Sequence, residues 1–149
     1  MKILECSSIG DKRFSALYAK VKAFNKVDTI ENHYQLAKVF DGHYQGSHWS
    51  DIKGKKSKVK EMTLTGIRLN GIDYNLKFLS QWYSLLWLRF LDKRPEHVKF
   101  LSQFDDFSDV FKGKGTENCQ ADVIRKYIKQ GRESIIEECK ELISILKGT

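Results

Sequence analysis

The sequence predicts an α+β fold, predominantly helical, as one compact domain over residues 1–149. Three observations carry that reading. Asn70-Gly71 separates two alternating segments and is the preferred pair for a two-residue type I′ turn, because both residues tolerate positive φ; about 62–75 therefore reads as a hairpin. Residues from about 77 to 91 are rich in Leu, Phe and Trp on most faces, which predicts a central buried helix. Near the C-terminus Ile135, Ile136, Cys139, Leu142, Ile143 and Leu146 recur at helical spacing and form one apolar stripe.

The remaining elements follow in order. Ile3-Leu4-Glu5-Cys6 reads as a short strand. From Phe14 to Phe24 the alternation predicts an extended segment, closed by a turn at Asn25-Lys26. Asp28 followed three residues later by Glu31 has capping-box spacing, so a helix is expected over about 28–40, ending at Asp41-Gly42. Residues 41–61 are polar and irregular. Pro95 suits the first turn of a helix over about 95–103, with Asp92 or Lys93 near its start. A further short helix is expected between Phe104 and Phe111, and a loop at Gly113 and Gly115. Two helices, about 119–130 and 133–147, are split at Gly131. Trp82 and Trp87 are expected in the core.

Composition narrows the function. The chain is 41% hydrophobic and 30% charged, with a single proline and no Pro/Gly/Ser tract, as a globular chain without a flexible linker would be. No apolar run reaches about 18 residues, so no transmembrane helix is expected. Met1-Lys-Ile-Leu-Glu-Cys6 lacks the apolar core of a secretory signal. Three widely spaced cysteines do not make a disulfide framework or a zinc site, and reduced thiols in a cytoplasmic protein are expected. The net charge of +7 is uneven. Residues 1–68 carry 13 Lys/Arg against 7 acids, and residues 69–149 carry 13 against 12. The excess is densest at Lys53-Gly-Lys-Lys-Ser-Lys-Val-Lys60. Such a run favours an anionic partner, or is simply a solvated loop.

One stretch carries a chemical pattern: Thr29-Ile-Glu-Asn-His-Tyr-Gln-Leu-Ala-Lys38. On a helix, Ile30, Tyr34 and Ala37 fall within about 60° of one another and face the core. Glu31, Gln35 and Lys38 lie in a strip beside them. A carboxylate, an amide and an ammonium at a core boundary make a polar pocket wall. Alternatively Glu31 is a capping residue and Lys38 one half of a surface ion pair.

Thr29-Ile30-Glu31-x-x-Tyr34-Gln35-x-x-Lys38 resembles the signature of the NADAR family. Phe14-Ser15-Ala16-Leu17-Tyr18 resembles the aromatic segment that precedes that helix in the family. Ile52-Lys53-Gly54-Lys55 resembles the step that follows it. Leu88-Arg-Phe90 with Pro95 and Leu101 resembles its later helix pair, and Gly115-Thr-Glu-Asn118-x-x-Ala121 its late glycine–asparagine segment. Ala16 stands where the family usually has Asn, and Asn32 where it usually has His.

The resemblance implies an N-glycosidase that hydrolyses the C1′–N bond of a ribosylated nucleobase, including removal of ADP-ribose from a modified base. Such cleavage builds up positive charge on the ribose and leaves a base that needs a proton, work suited to a carboxylate. Glu31 is the expected catalytic residue. Gln35, Asn118 and Gln120 are expected to hold ribose hydroxyls or the base edge, and Tyr34 or Trp49 to stack on the base. Arg13, Lys38 and Lys55 are expected at phosphates, with Phe14 and Ser15 beside them. No metal or other cofactor is implied, since His33, His43, His48 and His97 lack ligand spacing. The implied partner is a ribosylated base, a nucleotide or ADP-ribosylated nucleic acid. Two alternatives stay open: a nucleotide-binding module of the same fold without turnover, and a small basic nucleic-acid-binding protein.

Overall fold

A computed structural model of the chain describes residues 1–46, 61–111 and 118–147. The fold is α+β, with its small sheets and its helices largely segregated along the chain. Eight strands occur among the described residues: β1 (Ile3–Glu5), β2 (Lys20–Ala23), β3 (Lys26–Thr29), β4 (Lys38–Phe40), β5 (Tyr44–Gln45), β6 (Leu64–Leu69), β7 (Ile72–Asn75) and β8 (Asp106–Ser108). The helices are α1 (Ile30–Ala37), α2 (Leu79–Asp92), α3 (Pro95–Leu101), α4 (Gln120–Gln130) and α5 (Arg132–Lys147).

Helix α2 is the centre of the molecule. Ten of its residues are buried, among them Trp82, Leu86, Trp87 and Leu91. The expected tryptophan core is therefore present. Helices α1, α4 and α5 and strand β2 pack round α2, and the Ile135–Cys139–Leu142 stripe of α5 is fully buried. The four-stranded sheet runs β5-β4-β6-β7, all antiparallel. Its β6–β7 turn is Asn70-Gly71, both with positive φ, in accordance with the expected hairpin. Gly131, at φ 92° and ψ 158°, separates α4 from α5.

Four expectations need correction. The segment from Phe14 is extended only over Lys20–Ala23, which is β2. Lys12–Phe14 is a 3₁₀ turn held by the Asp11 side chain, which accepts from the Arg13 N–H, and further turns lead to β2. The next hairpin turn is Phe24-Asn25 rather than Asn25-Lys26, since Ala23 pairs with Lys26. The helix expected over 28–40 is only α1. Lys26–Thr29 pairs with β2, and Lys38–Phe40 joins β6, so sheet pairing claims both ends. Phe104 to Phe111 contains strand β8 instead of a helix. It pairs in parallel with β1, where Leu4 lies opposite Phe107, and a partner about 100 residues away overrides local preference. Pro95 opens α3 as expected, with Arg94 at the N-cap and Asp92 and Lys93 just before it.

Candidate functional site

Helix α1 positions the site. Thr29 caps it, its Oγ1 accepting from the Asn32 N–H at 3.1 Å. Asp28 Oδ1 accepts from the Thr29 N–H and from Asn32 Nδ2. Glu31 is the second helical residue and takes no part in this cap, so the capping-box reading fails. Its carboxylate Oε2 accepts instead from Gln35 Nε2 at 2.7 Å, one turn along. Ile30, Tyr34 and Ala37 are buried, as the helical spacing requires, and Glu31, Gln35 and Lys38 lie half-buried beside them.

The electrostatics of Glu31 follow from that position. Burial pushes its carboxyl above the ordinary 4.5; the Gln35 hydrogen bond and the Lys38 charge pull the other way without cancelling it. The Lys38 ammonium lies 4.7 Å from the Tyr34 ring centroid. Tyr34 meets Tyr83 of α2 edge-to-face at 5.1 Å. The Tyr83 phenol is pushed well above 10 by burial, and the nearby Glu31 charge adds to this.

A second segment closes on α1 from the far end of the chain. Asn118 Nδ2 donates to the Tyr34 hydroxyl at 2.8 Å. Gln120 Oε1 accepts from the Ala16 N–H at 3.2 Å, while its Nε2 donates to Asp109. The Ala16 carbonyl in turn accepts from the Glu31 N–H at 2.9 Å. Gln120 thus anchors the turn against which Glu31 rests. At the C-terminal end of α1, the Gly46 N–H donates to the Lys38 carbonyl at 2.8 Å. A Cβ on Gly46 would stand 2.1 Å from the Gln35 carbonyl oxygen, so only glycine fits there.

The expected residues therefore divide. Glu31, Tyr34, Gln35, Lys38 and Asn118 come together, and Gln120 stands behind them. Ser15 is buried in the adjoining turn, where its Oγ accepts from the Leu17 N–H. Phe14 is fully buried and stacks on Phe100, with centroids 6.0 Å apart. Arg13 is paired with Asp11 at 2.7 Å and lies over Phe100. Phe14 and Arg13 thus belong to a neighbouring aromatic cluster. Trp49 and Lys55 lie outside the described residues. Sequence reasoning missed Tyr83, Asp109, Gly46 and the Ala16 carbonyl. Tyr83 alone left a signal, as the one phenol within the apolar run of α2; the others depend on tertiary contacts.

Among the described residues, no group of His, Cys, Asp and Glu has the geometry to hold a metal ion. Cys6, Cys119 and Cys139 are buried and unpaired, and burial raises all three thiols, Cys6 and Cys139 to about 12. No helix among the described residues is long and apolar enough to cross a membrane. No curated protein matches the chain. A family model described as DarT1-associated NADAR antitoxin matches residues 1–147.

Proposed function

This chain belongs to the family of DarT1-associated NADAR antitoxins, and we propose that it removes ADP-ribose from a modified nucleobase by hydrolysing the C1′–N bond, with Glu31 as the catalytic carboxylate. One observation carries this reading. A half-buried acid with a raised pKa, held by an amide beside two tyrosines, is neither a helix cap nor a surface ion pair. An antitoxin that erases a covalent mark from a base needs a group of this kind.

The C1′–N bond breaks and its electron pair stays on the base nitrogen. A water oxygen bonds to the cationic C1′, and Glu31 takes the proton that the water sheds. Glu31 then returns that proton to the base nitrogen, and free ADP-ribose and the restored base leave. Burial raises this carboxyl above its ordinary value, which makes it a stronger base toward the water proton. Gln35 orients the carboxylate. Tyr34 and Asn118 offer hydroxyl and amide groups to the ribose, and Lys38 supplies positive charge at the rim. The lysines at 53–60 supply phosphate contacts, and the protein works in the cytoplasm.

The buried Ala16 favours a second reading. It puts a methyl group where the family usually has an amide, and a site short of one polar group would bind the modified base without cleaving it. A single assay separates the two. Incubated with an oligonucleotide carrying ADP-ribosylated guanine, the wild-type protein should release free ADP-ribose, detected by mass. Glu31→Gln should lower the rate about 10²–10⁴-fold and still bind. Tight binding without release by wild type establishes the sequestering module instead. Equal turnover by wild type and Glu31→Gln removes Glu31 from the mechanism.

A further inference from the structure

A cavity of about 450 Å³ lies on the other side of α1, away from Glu31. Its walls include the tips of the β2–β3 and β6–β7 hairpins, with Phe24, Lys26, Arg68 and Asn70; Asp28, Trp82 of α2 and His33 of α1 are among the other described residues that line it. His33 lies about 160° round the helix from Glu31, so one helix serves two separate faces. None of Glu31, Tyr34, Gln35, Lys38 or Asn118 lines this space.

Three features mark the cavity as more than a gap between hairpins. Phe24 occupies the first position of a type I′ turn at φ 49°, where asparagine or glycine is favoured and a bulky aromatic is strained. Backbone strain of this kind persists where a side chain is needed in place. The Phe24 ring stacks on Trp82 at 5.7 Å and 21°, yet the residue stays 37% exposed at the cavity. Trp82, only 1% exposed, lies behind that ring, and its buried Nε1 has no hydrogen-bond partner among the described residues. Finally, the hairpin bearing Phe24 brings Lys26 and Asp28 to the lining, and Arg68, whose Nε and Nη2 donate to the Asp73 carboxylate at 2.5 and 3.3 Å, faces them across the cavity. The opposite turn, Asn70-Gly71, uses the preferred residues at φ 52° and 81°, so hairpin geometry alone does not call for an aromatic.

We propose that this cleft binds a nucleotide, with its base seated against Phe24 and its phosphate between Lys26 and Arg68. A volume of this size suits one nucleotide. The stacked aromatic accepts any base, and Lys26, with Arg68 already held by Asp73 beside it, meets the phosphate. The site is independent of hydrolysis at Glu31 and stands or falls without it.

The test is calorimetric titration of the full chain with dGMP, with guanosine, and with a short single-stranded oligonucleotide. Phe24→Asn removes the ring and relaxes the turn, so it should fold at least as well as wild type by thermal melting. It should bind about fivefold or more weakly. Arg68→Gln should weaken dGMP more than guanosine. Tighter binding of dGMP identifies a free nucleotide as the occupant; tighter binding of the oligonucleotide identifies a nucleotide within a strand. No binding at millimolar dGMP or oligonucleotide, or unchanged affinity in Phe24→Asn, overturns the proposal.

Discussion

Glu31 makes the protein work against its own stability. The folded state holds the Glu31 proton more tightly than the unfolded chain, because burial raises its pKa above 4.5 and the opposing Gln35 and Lys38 contacts do not restore it. In the window between the unfolded and the raised folded values, the native state binds more protons, so stability falls as pH rises through it. The contribution of the neutral acid is complete below 4.5 and absent once pH exceeds the folded value. Glu31→Gln carries no charge at any pH. It should therefore melt above wild type at pH 7 and close to it near pH 4, while losing activity, as functional groups placed at a stability cost do. Melting curves at the two pH values decide this. A difference that does not change with pH would show that Glu31 is not the destabilised acid.

At the scale of elements, the helices depend on two different physical requirements. Helix α2 depends on volume. Trp87 is fully buried, so Trp87→Ala should cost about 3–5 kcal/mol in denaturant unfolding. The corner between α4 and α5 depends on backbone conformation. Gly131 sits at φ 92° and ψ 158°, a region almost reserved for glycine, yet a Cβ there would meet nothing within 4 Å. Gly131→Ala should therefore cost about 1–3 kcal/mol from the backbone alone. Gly71→Ala, also without a steric obstacle but at φ 81° in a surface turn, provides the comparison. If Gly131→Ala is silent, the corner has another conformation of equal energy. The β1–β8 pair is a third kind of element. It is held by Glu5, whose carboxylate accepts from Ser7, Ser108 and Val110, and these bonds outweigh burial and lower its pKa.

At the scale of the molecule, charge decides what approaches. The excess of Lys/Arg lies within residues 1–68, on the same half of the chain as Glu31. With a polyanionic substrate, changing Lys55 and Lys56 together to Gln should raise KM and leave kcat nearly unchanged, since a phosphate clamp that does not touch the reacting bond contributes uniform binding. The salt dependence of binding should flatten by roughly one unit for each phosphate that the variant no longer neutralises on duplex DNA, and by less on a single strand. Binding unchanged at low and high salt would make the run a solvated surface and take it out of substrate recognition.

Local sequence by itself determined the elements whose causes are local. The Asn70-Gly71 turn, Pro95 at the head of α3, Gly131 at the corner and the apolar run of α2 each answer to their own neighbours. The Glu31–Gln35 pair was legible for the same reason, because helical periodicity places them together, while Lys38 joins them from the first residue of β4. Only the tertiary structure decided the rest. It shortened α1, because β2 and β6 claim its flanks, and it made a strand of Asp106–Ser108, because β1 is available from the far end of the chain. It also released Glu31 from the role of cap and brought Asn118 to Tyr34, a hydrogen bond spanning 84 residues. Turns and caps are set by energies within a few residues, whereas a strand partner or a pocket wall is set by what the whole chain buries together.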